Sequence, residues 1–282
     1  MDENGINKLI LSEEVAATIK EKAKFILYNG DLVLGYTTED GFRSQLQDWI
    51  KIMQPLYDAG IHVYPVRGNH DAFSKGAVKV WNEIFSGPYA LPQNGPAGER
   101  NMTFAARESN ALILGVDQFG THEHAVNQAW VNRLIAANKL PLIFVLGHEM
   151  AFKAGHHDDN LDNNVAARDT FILSLANAGC RVYFAGHDHF YDHMEIKDPV
   201  NHPGFDLHQL VVGTAGAPFY KGDAYDGHNG SWQLTHVTHI EDTFGYVLVE
   251  VNGRKVTLTW KGRVSPGVYK AGESWSYTVP VK

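Results

Sequence analysis

The segment Arg181-Val182-Tyr183-Phe184-Ala185-Gly186-His187-Asp188-His189 is a short apolar strand that breaks at a glycine and ends in two histidines flanking an aspartate. The same grammar recurs at Tyr28-Asn29-Gly30-Asp31, at Pro65-Val66-Arg67-Gly68-Asn69-His70-Asp71 and at Val145-Leu146-Gly147-His148. Each is a run of buried-strand type, then a glycine, then a side chain able to bind a metal ion. Glycine there lets the backbone turn sharply and approach the site closely. In the Gly-His-Asp-His segment, alternate residues of an extended chain point one way, so His187 and His189 are expected to face the same place.

Helical stretches separate these strand ends. Phe42 to Ala59 is closed by Gly60, and Ala77 to Phe85, Asn127 to Asn138 and Arg168 to Ala178 follow. Ser12 to Lys24 is predicted helical, with Ser12 as cap, Glu13 and Glu14 in the first turn and lysines at the end. The stretch from Gly87 to Gly98 is rich in proline and glycine and reads as a long loop. The later part holds consecutive strands, including Leu210 to Val212 and a hairpin of Tyr246 to Val251 and Lys255 to Trp260 about Asn252-Gly253. This order predicts an α/β fold on two packed sheets, and no linker or repeat divides residues 1–282, so a single domain is expected. Ligands of open α/β sheets bind beyond the carboxyl ends of the strands. Four strand ends carrying Asp, Asn and His therefore converge on one rim.

Bulk properties narrow the partners. The 282 residues are 44% hydrophobic and 20% charged, ordinary globular usage. No apolar run reaches the roughly 20 residues of a membrane span. A net charge of −8 argues against nucleic acid or an anionic membrane as partner. It leaves a phosphate substrate open, because bound cations invert the local field. Cys180 is the one cysteine, so no intramolecular disulfide forms, and beside Val182-Tyr183-Phe184 it reads as a small buried hydrophobe. The compartment stays undetermined.

The series Gly30-Asp31, Gly68-Asn69-His70-Asp71, Gly147-His148 and Gly186-His187-Asp188-His189 resembles the calcineurin-like metallophosphoesterase superfamily. Val212-Gly213-Thr214-Ala215-Gly216-Ala217-Pro218-Phe219-Tyr220 and the terminal hairpin are similar to its purple-acid-phosphatase-like branch. The resemblance covers nearly the whole chain. It implies a four-layer α/β/β/α sandwich of two mixed sheets with a dinuclear metal site on one edge. It implies that Asp31 bridges two metal ions, that Asn69, His148 and His187 complete one, and that His189 binds the other. The activity implied is hydrolysis of a small phosphate ester, monoester or diester, by a metal-activated water. His70 would protonate the leaving alkoxide or stabilise the phosphate, with Asp71 orienting its imidazole. The mixed nitrogen and oxygen donors suit manganese, iron or zinc.

Two departures from the family pattern bear on the His189 side. Family members carry Asp-x-His at the end of a first strand, whereas here Asp2 stands 29 positions ahead of Asp31 with Asn4 in the histidine's place. The purple enzymes use a tyrosine three residues after the bridging aspartate, where this chain has Leu34. Asp2 is thus a candidate ligand, and a first strand ahead of it is expected to be missing. The alternative function is a catalytically impaired relative serving as a metal-binding or scaffold protein. Among other residues, His156-His157-Asp158-Asp159 reads as a solvated loop, with a substrate rim as the alternative. His193 is read as structural rather than supporting the site, and Arg67 as forming an ion pair within the fold. His122 and His124 lie in a loop that could overhang the site, and Phe219 and Tyr220 read as packing.

Overall fold

In strand Leu142–Leu146 the side chains alternate strictly between two apolar clusters: Leu142, Phe144 and Leu146 join one, Ile143 and Val145 the other. Both faces are buried, as expected of a strand that reads as a continuous apolar run. This strand sits inside an eight-stranded mixed sheet and shows how the layers stack. The computed structural model describes residues 2, 4–120, 124–222 and 227–280, with the backbone alone at 227 and 228.

In chain order the elements are α1 (Lys8–Lys20), β1 (Phe25–Tyr28), α2 (Glu39–Asp58), β2 (His62–Pro65), α3 (Asn69–Ala72), α4 (Ala77–Ile84), β3 (Phe104–Glu108) and β4 (Ala111–Gly115). There follow α5 (Gln128–Ala137), β5 (Leu142–Leu146), α6 (Val165–Asn177), β6 (Val182–Ala185), β7 (Tyr191–Asp198) and β8 (His202–Val212). The chain closes with β9 (Gly227–Asn229), β10 (Trp232–Ile240), β11 (Gly245–Asn252), β12 (Lys255–Ser265) and β13 (Val268–Thr278). The large sheet has the order β3-β4-β5-β6-β8-β7-β10-β9, with β4, β5, β6 and β8 parallel. One face packs on α5 and α6 through Trp130, Val131, Phe171 and Leu175. The other packs on the smaller sheets, beyond which lie α1, α2 and α4. This is the expected α/β/β/α stack.

The second β layer is in two pieces. β1 and β2 form a parallel pair, and β11-β12-β13 an antiparallel sheet. Both pieces contribute to the same core, where Leu27 and Tyr28 share a cluster with Val256, Leu258 and Trp260.

Local chemistry shifts some predicted boundaries. α1 starts at Lys8 rather than Ser12, because the Asn7 side chain accepts from the Ile10 amide and Ile10, Leu11 and Val15 supply the buried face. α2 starts at Glu39 under the Thr38 cap, and the hairpin β11–β12 turns at Asn252-Gly253 as read. Cys180 is fully buried, and burial pushes its thiol up to about 12. The loop Gly87 to Gly98 contains one 3-10 turn, Gly87–Tyr89.

Candidate metal centre

The carboxyl ends of β1, β2, β5 and β6 meet at one edge. There the Nε2 atom of His148 lies 3.2 Å from Asp31 Oδ2, 3.1 Å from Asn69 Oδ1 and 3.1 Å from His187 Nδ1. Metal bonds of about 2.0–2.2 Å hold neighbouring donors about 3.0–3.5 Å apart, so this donor set fits a cation. The ring orientations fit as well. His148 Nδ1 donates to the Asn29 carbonyl at 2.7 Å, and because a carbonyl only accepts, Nε2 is the nitrogen that presents a lone pair to the site once the ring is neutral. Asn69 is aimed likewise: its amide nitrogen donates to the Tyr36 hydroxyl at 3.0 Å, leaving Oδ1 towards His148.

Glycine is a steric necessity at two of these turns. A Cβ on Gly68 would stand 2.0 Å from Asp31 Oδ1, and one on Gly30 would stand 2.6 Å from the Gly68 amide nitrogen. Asp31 and His187 both have positive φ, 53° and 69°. Side chains rarely adopt that left-handed region, and strain of this kind concentrates at functional sites. The Gly-His-Asp-His segment is therefore a kinked turn, correcting the extended geometry expected of it.

Charge is shared across the cluster. Burial would push the Asp31 carboxyl up, but the charge and hydrogen bond of His148 prevail and hold it at about 2. Burial likewise opposes the His148 imidazolium, and Asp31 outweighs it, raising His148 to about 9. Burial and the neighbouring imidazoles depress His187 to about 2, and burial depresses His189 to about 4, so both rings are neutral at pH 7. Neutral imidazole is the form that binds metal.

His189 comes to the same edge by a different route. Its Nδ1 donates to the Pro218 carbonyl at 2.7 Å and its ring stacks on Tyr220 at 4.0 Å, which leaves Nε2 as the donor atom. Asp2 does not join the group. Its Oδ1 accepts from the Asn4 and Ile6 amides, and its Oδ2 pairs with Lys8 at 3.0 Å. The Asn4 side chain bonds Asp48 instead.

His70 is anchored by its backbone amide, which donates to Asp31 Oδ1 at 3.0 Å, and by its Nδ1, 2.5 Å from the Leu34 carbonyl. Its expected partner is corrected: the Asp71 carboxylate takes the Gly68 amide at 2.9 Å and the Leu32 amide at 3.2 Å. Asp71 is the third residue of α3 and turns back over its own N-terminus, away from the neighbouring imidazole. Burial and then the Asp31 charge push its carboxyl up to about 7.

Several participants went unread in the sequence. His157, assigned to a solvated loop, stacks on His187 at 4.0 Å, while His156 stacks on Tyr220 at 4.2 Å. Fully buried Asp188 holds both in place, accepting from the His156 and His157 amides and from His157 Nδ1. The doubled histidine was the available signal. Gln118 Oε1 accepts from the His148 and Glu149 amides, and nothing in the sequence marks it. Arg67 forms the expected internal ion pair, a buried fork on Asp117 at 2.7 and 2.8 Å. His193 bonds Glu273 and His208. His124 bonds Glu149 at 3.0 Å, and His122 lies outside the described residues.

A cleft of about 1040 Å³ opens onto this edge. Asp31, His148, His187 and His189 stand in its wall, and its length runs between β1 and β11.

Tyr36 offers a test of how the donors are aimed. Tyr36→Phe removes the acceptor that orients the Asn69 amide and is expected to weaken metal binding about 10–100-fold, as is usual for such outer partners. Calorimetric titration with manganese would show it, and unchanged affinity would mean that Asn69 is held by other contacts.

The calcineurin-like phosphoesterase family profile matches residues 6–191, and the chain belongs to that family. No curated protein sequence matches it. Among solved structures, the purple acid phosphatase PPD1 from yellow lupin (Lupinus luteus) seeds superposes with a TM-score of 0.70 at 13% identity, over 96% of this chain and 49% of the lupin protein. The chain thus spans about half the length of that enzyme. GAP50, described as the anchor in the inner membrane complex of Plasmodium, gives a TM-score of 0.67 at 13% identity, over 98% of this chain and 86% of its own. At such identity these likenesses establish the fold.

Proposed function

We propose that this protein hydrolyses small phosphate esters at a dinuclear metal centre. The observation that carries the reading is the convergence of Asp31 Oδ2, Asn69 Oδ1 and His187 Nδ1 on His148 Nε2, in a family of phosphoesterases. These four residues would hold one manganese, iron or zinc ion, and Asp31 with His189 a second. Such ions lower the pKa of a bound water and neutralise phosphoryl oxygens as charge shifts. The protein's own groups supply the rest. His70, held through Nδ1 by the Leu34 carbonyl, would present Nε2 to the ester and, as the imidazolium, protonate the leaving alkoxide. His157 and Tyr220, stacked on His187 and His189, wall the site and limit water around the rings. The chain's net charge of −8 leaves phosphate recognition to the bound cations and His70.

The test is turnover of a chromogenic phosphomonoester and a diester by protein stripped with chelator and reloaded with manganese, iron or zinc. Hydrolysis of one or both that vanishes on stripping and returns on reloading is the expected result. Metal bound without turnover of either ester would favour the second reading, a metal-binding or scaffold protein, a possibility that the likeness to the anchor protein keeps open. No binding at saturating manganese and zinc would defeat both.

A further inference from the structure

A second group of donors stands apart from the strand-end cluster, between β7 and β10. Asp192 Oδ2 lies 2.8 Å from His239 Nδ1 and beside His236 Nδ1. The donor atoms of Asp192, His236 and His239 all lie within 4.8 Å of one another. We propose that these three residues form a structural site for a divalent cation of the zinc class.

Backbone geometry builds this cluster. His236 and His239 are three residues apart, a spacing that sends side chains to opposite faces of a regular strand. The β7–β10 ladder slips between His236 and Thr238, so that His239 opposes Asp192 and His236 opposes Met194. Asp192 and Met194 share a face, and the extra residue, Val237, therefore turns both imidazoles onto the face of Asp192. Bulges of this kind re-aim side chains at the cost of a local break in pairing. Val237 itself is 51% exposed, so its own burial does not account for the irregularity.

The surroundings are those of a metal site. Asp192 is fully buried, and its second oxygen, Oδ1, has no hydrogen-bond partner. A buried carboxylate oxygen without a partner is uncommon, and a bound ion would satisfy it. The His236 side chain is 5% exposed and that of His239 14%. Behind His239, Glu241 Oε1 stands 3.2 Å from Nε2, the carboxylate–imidazole arrangement that fixes a ligating ring and turns its other nitrogen to the ion. Two imidazoles and one carboxylate are a zinc-type donor set with a fourth position left for water. Such an ion would clip β7 to β10. Through Glu241, which also accepts the Gly222 amide, it would steady the segment whose Pro218 and Tyr220 hold His189.

The competing account is a histidine–aspartate–histidine cluster joined by hydrogen bonds alone. Zinc binding to His148→Ala/His187→Ala protein, in which the strand-end site is disabled, separates the two. The proposal expects one zinc per chain by elemental analysis after equilibration and desalting, with a raised Tm, and both effects lost when His236→Gln is added. No retained zinc, or zinc retained equally with His236→Gln, would overturn it. Should the triple variant not fold, cobalt(II) titration of the His148→Ala/His187→Ala protein decides. Visible absorption of a tetrahedral, nitrogen-bearing site saturating at one equivalent supports the site, and a featureless titration refutes it.

Discussion

His148→Ala is expected to lower kcat/KM for a chromogenic phosphate ester on the order of 10³-fold, about 4 kcal/mol of lost transition-state stabilisation. The ring is the hub of the donor set, since Asp31, Asn69 and His187 each place an atom 3.1–3.2 Å from its Nε2. Its loss costs one metal bond directly and leaves Asp31 buried without its counter-charge. A proton measurement distinguishes this account from simple damage. In the metal-free protein the Asp31 charge raises His148 to about 9, so the ring is protonated at pH 7.5. A cation can bind Nε2 only after displacing that proton, whereas His187 and His189 are already neutral. Metal binding should therefore release about one proton per chain below pH 9, and affinity should rise as pH climbs towards 9 and level off above it. Calorimetry at pH 7.5 in two buffers of different ionisation heat measures the release. Asp31→Asn should abolish it, because without the carboxylate charge His148 loses what holds its proton. Turnover within tenfold of wild type in His148→Ala, or no proton release in wild type, would place the metal elsewhere.

The sequence revealed the candidate ligands of this site better than their supports, for a physical reason. Asp31, Asn69, His148 and His187 each follow a strand and a glycine, so local pattern alone carries them to the sheet edge. Asn29, Tyr36, Gln118 and Asp188 act through a carbonyl, a hydroxyl, an amide and a carboxylate on partners far along the chain. Such partners exist only once the strands are side by side. Asp71 shows the limit at short range. Adjacency to His70 suggested a contact, but one turn of helix directs its carboxylate to Gly68 and Leu32. The layers were legible from apolar runs and the Asn252-Gly253 turn. β13 was not, since its burial is slight and its exposed side carries Lys270, Gly272, Ser274 and Ser276 on a sheet edge.

Filling the cleft with a strand is expected to change both stability and metal retention. Among the described residues, β1 pairs with β2 on one side and with no strand on the other, and β11 pairs with β12 on one side only. Both free edges line the same cleft, with Phe144 and Phe184 of the large sheet in its wall. Strands lie about 4.8 Å apart and layers about 10 Å, so six residues rising about 3.3 Å each occupy about 950 Å³. The cleft measures about 1040 Å³, enough for one such segment. A six-residue strand therefore has room between the two edges. Gly5, Ile6 and Asn7 line the same cleft, so a segment joined before Asp2 can run along β1 towards Asp31. Six residues with alternating valine and isoleucine, fused there, should pair with both edges and raise Tm by at least about 5 °C. Metal retention on the His189 side should rise with it, because Asp2 would then end a strand at the site instead of closing its own turn against Lys8. Prolines at alternate positions remove the amide donors and should abolish both gains. Equal Tm and metal content for the two fusions, with the added residues open to protease, would show that the cleft accepts no strand.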